Sequence, residues 1–438
     1  MKTIVAKFGG TSLADANQFR KVRDIILADP ARRFVVASAP GKRFAGDIKV
    51  TDLLLICYQK AVVDQPYDEE WKAIHDRFAE IVADLGVEFP LEQELAKIRR
   101  YLTQYPQREY MASRGEYLNS QILAAYLGFT FVDPEWCVCF SDDGTFDSEM
   151  TQRTLGAALK PLQKAVIAGF YGADFRGNIH TFSRGGSDIT GSIVARAIGA
   201  ELYENWTDVS GLLTADPRIV DAPRPVDYLT YRELRTLSYM GASVLHTDAV
   251  HPASRQGIPI NIRNTNRPED AGTMIVRKLP SGCKRALISG VAGRTDMSVI
   301  QVEKMMVSDE AGFSAILLDI LKRRRIPFEH CLTGIDTVSL VIQTELFLPV
   351  KDAIIEDIKT ELKPDTLFVK EGLSMIAVVG EGKRDTGHAV VDILKAVADA
   401  GIEILTINRG AGSLNLIIGV EENKYKEAIR AIYAAIEG

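Results

Sequence analysis

Cysteine is scarce in this chain, and its placement excludes two classes at once. Cys57, Cys137, Cys139, Cys283 and Cys331 are scattered over 438 residues, odd in number and without a C-x-x-C pair, so neither a disulfide framework nor a zinc site is expected. The six histidines do not gather at metal-ligand spacing either. No uninterrupted apolar run approaches the ~20 residues that span a bilayer. Lys7 and the glycines behind it interrupt the first apolar run too early for a secretory leader. A basic excess is missing as well: the net charge of −6 argues against a general nucleic-acid or membrane-surface binder. A reducing cytoplasm is the expected home. Cys137 and Cys139 alternate within Trp136–Phe140 and read as one face of a strand, with a buried structural role.

What is present is ordinary in bulk and specific in places. A hydrophobic share of 46% and a charged share of 25% suit a globular protein, and the length suggests two to four domains. Thr3-Ile4-Val5-Ala6-Lys7-Phe8-Gly9-Gly10-Thr11-Ser12 is an apolar run ending in a lysine, two glycines and two hydroxyls. A helical pattern follows at Phe19, Val22 and Ile26. Strand, tight turn and helix start in that order expose backbone N–H groups, which favour an anion, and Lys7 adds a full positive charge there. The loop is neither a Walker A sequence nor G-x-G-x-x-G. It reads as a phosphate cradle of another kind.

Lys-Phe-Gly-Gly-Thr-Ser near the start of a chain resembles the signature of aspartokinases, within the amino-acid kinase superfamily. Three further segments resemble that family in its order. Ser113-Arg114-Gly115-Glu116, before a helix at Tyr117–Tyr126, is similar to its Gly-Glu motif, and an acid in a first helical turn is common for dipole reasons alone. Phe182-Ser183-Arg184-Gly185-Gly186-Ser187-Asp188 resembles the second signature, with Ser183 where the family usually has glycine. Thr207-Asp208-Val209-Ser210-Gly211-Leu212-Leu213-Thr214-Ala215-Asp216-Pro217-Arg218 is similar to its nucleotide segment, with Leu213 where tyrosine is frequent. Ser243 likewise stands where the family often has lysine.

The resemblance implies an α/β, three-layer amino-acid kinase fold with a mostly parallel central sheet, and a chain that phosphorylates the β-carboxylate of L-aspartate with ATP and Mg²⁺. It implies catalytic roles for Lys7 and Asp188, ATP contacts at Lys7, Phe8, Gly9, Gly10, Thr207, Asp208 and Arg218, and L-aspartate contacts at Thr51, Glu116 and Arg184. Thr51, in Val50-Thr51-Asp52-Leu53-Leu54, is by itself an ordinary N-cap. Another amino-acid kinase of the same fold, or a non-catalytic amino-acid sensor, would keep the glycine loops.

Short apolar runs alternate with helical patterns up to about residue 275, as in a parallel sheet covered on both faces. Glu69–Tyr101 reads as one long helical stretch. Beyond Ser281 two βαββαβ modules follow. The second lacks its last strand, and the apolar run Ala286–Val291 lies upstream of the first, so the first is expected to be inserted within the second. The expected domains are 1–280, an inserted module 293–372, and a second module made of 284–292 with 373–438. Such pairs resemble ACT domains, which bind amino-acid effectors. Ser308, Asp309, Gly312 and Phe313 are the effector positions, for lysine or threonine, and a homodimer or higher homo-oligomer is expected.

Overall fold

The computed structural model describes residues 2–183, 185–242, 245, 247–283, 286–380, 386–410 and 415–437. They divide into two compact units. The first holds Met1–Leu212, Pro225–Arg235 and Ser243–Cys283, and the second Leu213–Arg224, Thr236–Ala242 and Lys284–Gly438.

The first unit is built on strands β1 (Ile4–Phe8), β2 (Arg32–Ala37), β3 (Thr130–Val132), β4 (Ala165–Ala168), β5 (Tyr171–Ala173), β6 (Ile179–Thr181), β7 (Leu202–Thr207), β8 (Tyr228–Thr230), β9 (Ile260–Asn264) and β10 (Thr273–Val276). Its helices are α1 (Ala16–Ala28), α2 (Val50–Val62), α3 (Asp68–Leu85), α4 (Leu91–Gln104), α5 (Arg108–Leu127), α6 (Ser148–Leu159), α7 (Gly186–Ile198), α8 (Tyr231–Tyr239, whose last residues belong to the second unit) and α9 (Thr247–Gln256). Eight strands form one sheet in the order β3-β4-β2-β1-β7-β9-β10-β8, parallel throughout except at β9–β10, and β5–β6 is a separate hairpin. This is the expected mostly parallel sheet.

Side chains alternate across the sheet because successive residues of a strand point to opposite faces. Ala6, Phe8, Val35, Ala37 and Trp206 pack into a core with α1 to α5. Lys7, Tyr203 and Asn205 lie on the other face, where α7 crosses β1. Under the first face, Glu204 accepts from Arg32 Nε at 2.7 Å and from Trp206 Nε1 at 2.9 Å, and Arg263 and Arg32 stand over the Trp206 ring.

Four local expectations are corrected. The stretch Glu69–Tyr101 is two helices: Gly86 takes a left-handed φ of 61° as the C-cap of α3, and Pro90 precedes α4. Helix α5 starts nine residues before Tyr117, at Arg108, so Glu116 stands mid-helix and not in a first turn. Thr51 is the second residue of α2 and not its cap, which is Lys49. Cys137 follows a 3₁₀ turn and Cys139 makes one isolated bridge to Ala173, so they do not share a strand face.

The second unit has strands β11 (Gly290–Glu303), β12 (His330–Thr333), β13 (Thr337–Gln343), β14 (Thr366–Val379), β15 (Thr406–Arg409) and β16 (Leu416–Glu421). With them go helices α10 (Phe313–Arg323), α11 (Thr344–Phe347), α12 (Lys351–Leu362), α13 (Thr386–Asp399) and α14 (Tyr425–Glu437). One antiparallel sheet runs β12-β13-β11-β14-β16-β15. Runs that read as separate strands are fused. Gly290–Arg294 pairs with Met375–Val379, and Val299–Glu303 of the same strand pairs with Thr366–Lys370. Two cores result: Ile300, Leu317 and Ile354 are in one, and Ile376, Ile393 and Ile429 in the other. Ala215, Ile219 and Val220 belong to the second core, and the Tyr433 hydroxyl accepts from the Arg224 N–H at 3.1 Å.

Removing one partner of a buried charge cluster strands the rest. Glu204→Ala should destabilise the protein by about 3–5 kcal/mol, read as a lowered denaturant midpoint, because Arg32 loses its counter-charge inside the core. A midpoint within experimental error of the parent's would show that the Glu204 carboxylate contributes nothing net.

Candidate functional site

Ligands of open α/β sheets bind beyond the carboxyl ends of the strands, where strand order reverses. Here that place is β1, flanked by β2 and β7. The Gly9 N–H donates to the Trp206 carbonyl at 3.0 Å, and Gly9 caps a 3₁₀ turn over Gly10–Leu13. Ser12 Oγ and Thr265 Oγ1, 2.7 Å apart, tie that turn to the end of β9.

The diglycine is needed for close backbone approach. A Cβ on Gly10 would stand 2.9 Å from the Ala39 carbonyl oxygen, and one on Gly41 would stand 2.5 Å from the Gly10 carbonyl carbon. The Gly41 N–H donates to the Gly10 carbonyl at 2.8 Å. Gly41 was missed in the sequence, because its partner Gly10 lies thirty-one residues away and nothing local marks it. Its carbonyl accepts from Arg77 at 3.1 Å, and Arg77 is in turn paired with Asp47 at 2.6 Å. Burial alone would raise the Asp47 carboxyl. Hydrogen bonds from Arg43 and the charge of Arg77 overcome this and hold it well below the usual carboxylate range.

The second diglycine opens α7. Gly185 adopts φ 66°, a conformation that costs a residue with a Cβ about 1–2 kcal/mol. The chain thereby turns into a thirteen-residue helix whose first turn carries Asp188. Lys7 Nζ, from buried β1, meets Asp188 Oδ1 at 2.5 Å. The amine and both glycine turns are therefore brought together, with the first N–H groups and dipole of α7 favouring an anion beside them. Phe8 is fully buried with its ring stacked on Trp206, so only its backbone is open to a ligand. Thr207 ends β7, its hydroxyl 3.2 Å from Asp208 Oδ1, and Asp208 is exposed.

Glu116 joins the same loop from another direction. A Cβ on Gly115 would be 2.8 Å from Ala39 Cβ, so α5 packs directly on the chain leaving β2. The start of α2, with half-buried Thr51, packs there too: the Val50 N–H donates to the Pro40 carbonyl at 3.5 Å. Glu116 is buried, and its Oε2 has no hydrogen-bond partner among the described residues. Burial pushes its carboxyl up to about 8, against the Ala39 N–H and the Arg114 charge, which pull it down. Arg114 itself is buried among the rings of Tyr110, Tyr117 and Tyr171. A buried carboxyl with one unpartnered oxygen suits a cationic ligand group.

Arg184 and Ser243 fall outside the described residues. Arg218 belongs to the second unit, where its exposed guanidinium pairs with Asp216 at 2.7 Å. Ser308 and Asp309 lie in a 3₁₀ turn, and Gly312 caps α10 with φ 93°. Phe313 is buried in that module's core, which leaves its backbone alone for an effector. Among the described residues no group of three or more His, Cys, Asp or Glu could hold a metal ion, and no helix is long and apolar enough to cross a membrane.

A model of the amino acid kinase family matches residues 2–264, and one of the ACT domain matches residues 376–436. Over 445 residues the chain is 34% identical to Aspartokinase 3 of Bacillus subtilis (strain 168), covering 98% of this chain and 97% of that one. It is 26% identical to Lysine-sensitive aspartokinase 3 of Escherichia coli (strain K12), covering 98% of each. The crystal structure of Clostridium acetobutylicum aspartate kinase matches with a TM-score of 0.88 at 41% identity, over 100% of both chains. E. coli aspartokinase III in complex with aspartate and ADP shares the fold, at a TM-score of 0.77 and 24% identity over 100% of both chains. The lysine–aspartate pair between two glycine turns and these full-length likenesses lead to one conclusion: the chain belongs to the aspartokinases of the amino acid kinase family.

Proposed function

We propose that this aspartokinase uses ATP to phosphorylate the β-carboxylate of L-aspartate, giving 4-phospho-L-aspartate for lysine, threonine and methionine biosynthesis. The observation that carries the reading is the Lys7–Asp188 pair set between the two glycine turns. The attacking carboxylate is already ionised at neutral pH, so no general base is needed. Catalysis then consists of alignment and neutralisation of charge on the phosphoryl oxygens. Lys7 and the N–H groups at Gly9 and Gly10 supply that neutralisation, and Asp188 holds Lys7 in place. Phe8 through its backbone, Thr207, Asp208 and Arg218 contact the nucleotide. Thr51, Glu116 and Arg184 hold aspartate, with Glu116 at its ammonium.

Mg²⁺ fits this site as a nucleotide-borne ion. A hard cation takes phosphate oxygens and water readily, and no protein cage for it exists among the described residues. When bound it would neutralise phosphate charge. The protein is read as cytoplasmic and as a homodimer or higher homo-oligomer. Its catalytic domain spans 1–280. An ACT module at 293–372 is inserted in a second one made of 284–292 and 373–438, with lysine or threonine received near Ser308, Asp309, Gly312 and Phe313. An aspartyl-hydroxamate assay with each amino acid added separately and together tests reaction and regulation in one experiment.

Lys7→Ala should lower kcat by ~10²-fold or more, the scale of a lost preorganised charge-stabilising donor. Near-normal turnover would remove Lys7 from the mechanism. Arg184→Ala should chiefly raise the KM for aspartate, and a raised ATP KM with the aspartate KM unchanged would reassign the residue to the nucleotide.

Glu116 gives a pH prediction with a definite sign. In the free enzyme its carboxyl is protonated below about 8. Pairing with an ammonium requires the carboxylate, so the KM for aspartate should fall as pH rises from 6 to 8, by up to ~10-fold per unit. In Glu116→Gln that slope should vanish, and its KM should exceed the parent's by ~10–100-fold at pH 8 and approach it near pH 6. Its raised pKa means that Glu116 costs stability as pH climbs from near 4.5 to about 8. Glu116→Gln should therefore unfold at higher denaturant than the parent at pH 8 and not at pH 4. A pH-independent aspartate KM in the parent enzyme would contradict the proton coupling.

A further inference from the structure

Asn205 carries no role in the reading above, yet it touches the centre of the site. It lies on β7 directly opposite Lys7 in the parallel β1–β7 ladder, and both side chains emerge on the face crossed by α7. Its amide Nδ2 donates to Asp188 Oδ1 at 2.8 Å, the oxygen that Lys7 Nζ meets at 2.5 Å. Two residues earlier on the same face, the Tyr203 hydroxyl donates to the Asp188 backbone carbonyl at 3.1 Å. Strand β7 thus grips the first turn of α7 at two points, one on its backbone and one on its functional side chain. Both Asn205 and Tyr203 are buried.

We propose that Asn205 is a positioning residue for phosphoryl transfer, holding the Asp188 carboxylate so that Lys7 stays aimed at the transferring group. This rests on the kinase reading of the Lys7–Asp188 pair. A carboxylate bonded to a lysine alone can swing about its χ angles and follow the flexible ammonium. A second donor, rigidly mounted on a central strand, removes that freedom. It also commits Oδ1 to both donors. Asparagine suits the task because its Nδ2 donates without adding charge beside Lys7. A lysine here would compete for the carboxylate, and an aspartate would repel it.

The test compares two substitutions that keep the side chain's branching, made in the whole 438-residue chain, with steady-state kinetics in both substrates and a thermal melt. Asn205→Leu removes the donor. It should lower kcat at least tenfold, the scale of a small misplacement of a catalytic group. The KM values for ATP and aspartate should stay within about twofold, because no substrate contact is lost. Asn205→Asp sets a carboxyl beside Asp188: protonated it can donate in place of the amide, ionised it repels. Its kcat relative to the parent should therefore rise as pH falls from 8 to 6, while that of Asn205→Leu stays level.

A kcat for Asn205→Leu within twofold of the parent's overturns the proposal, as does a raised KM at unchanged kcat. If Asn205→Leu does not fold, the Asn205→Asp profile decides, and a relative kcat independent of pH counts against positioning. A parent enzyme that releases no ADP with aspartate would instead overturn the kinase reading itself.

Discussion

An ammonium and a carboxylate that meet at the carboxyl ends of parallel strands set the terms for the rest of the catalytic unit. Lys7 is 7% exposed, so its charge is withdrawn from water and must be matched locally. Asp188 matches it, but only because α7 begins just there, and α7 can begin there only because Gly185 takes a left-handed conformation. The parallel sheet is what places β1, β7 and the start of α7 within reach of one another. Moving any one of these elements by a few ångströms would leave a buried charge without a partner.

A second set of buried charges lies on the opposite face of the same strands. Glu204 immediately precedes Asn205 on β7, so it points away from Lys7, into the cluster with Arg32, Arg263 and Trp206. The alternation of the strand thus separates two ionic groups that would otherwise compete. Farther out, Asp47, Arg43 and Arg77 form a third group, which holds the Gly41 carbonyl and with it the crossing of Gly10 and Gly41. The Gly9-Gly10 turn is therefore braced by charge on its outer side, with Lys7 close by on the inner side. The Arg32–Glu204 and Arg77–Asp47 pairs are buried, unlike the surface pairs that contribute little, and only Arg43 of these groups is exposed.

Features legible in the sequence were those with a local cause. Lys7 and both glycine pairs could be found because strand, turn and helix signals sit within a dozen residues of each other. The alternation of apolar runs and helical patterns was enough for the sheet. Where the cause is long-range, local signals misled. Gly115 looked like the opening of a helix, yet it lies inside α5, where it lets the helix approach Ala39. Gly41 and Asn205 act through residues far along the chain, and a single sequence holds no trace of such pairs. The fused strands failed for a related reason. Gly293–Asp296 breaks the apolar pattern, but β11 continues through it with shifted register and a positive φ at Asp296.

That irregularity has a consequence for the second unit. Strands β11 and β14 each run through both halves of its sheet, with one segment pairing near Ile376 and the other near Ile300. Neither half has a complete sheet without a strand that also serves the other. Its helices are nevertheless sorted into two separate cores. Shared strands join the two halves through their backbone, while side-chain packing stays local to each. The residues Ala215, Ile219 and Val220, which follow the Thr207–Asp208 segment in sequence, are built into one of those cores.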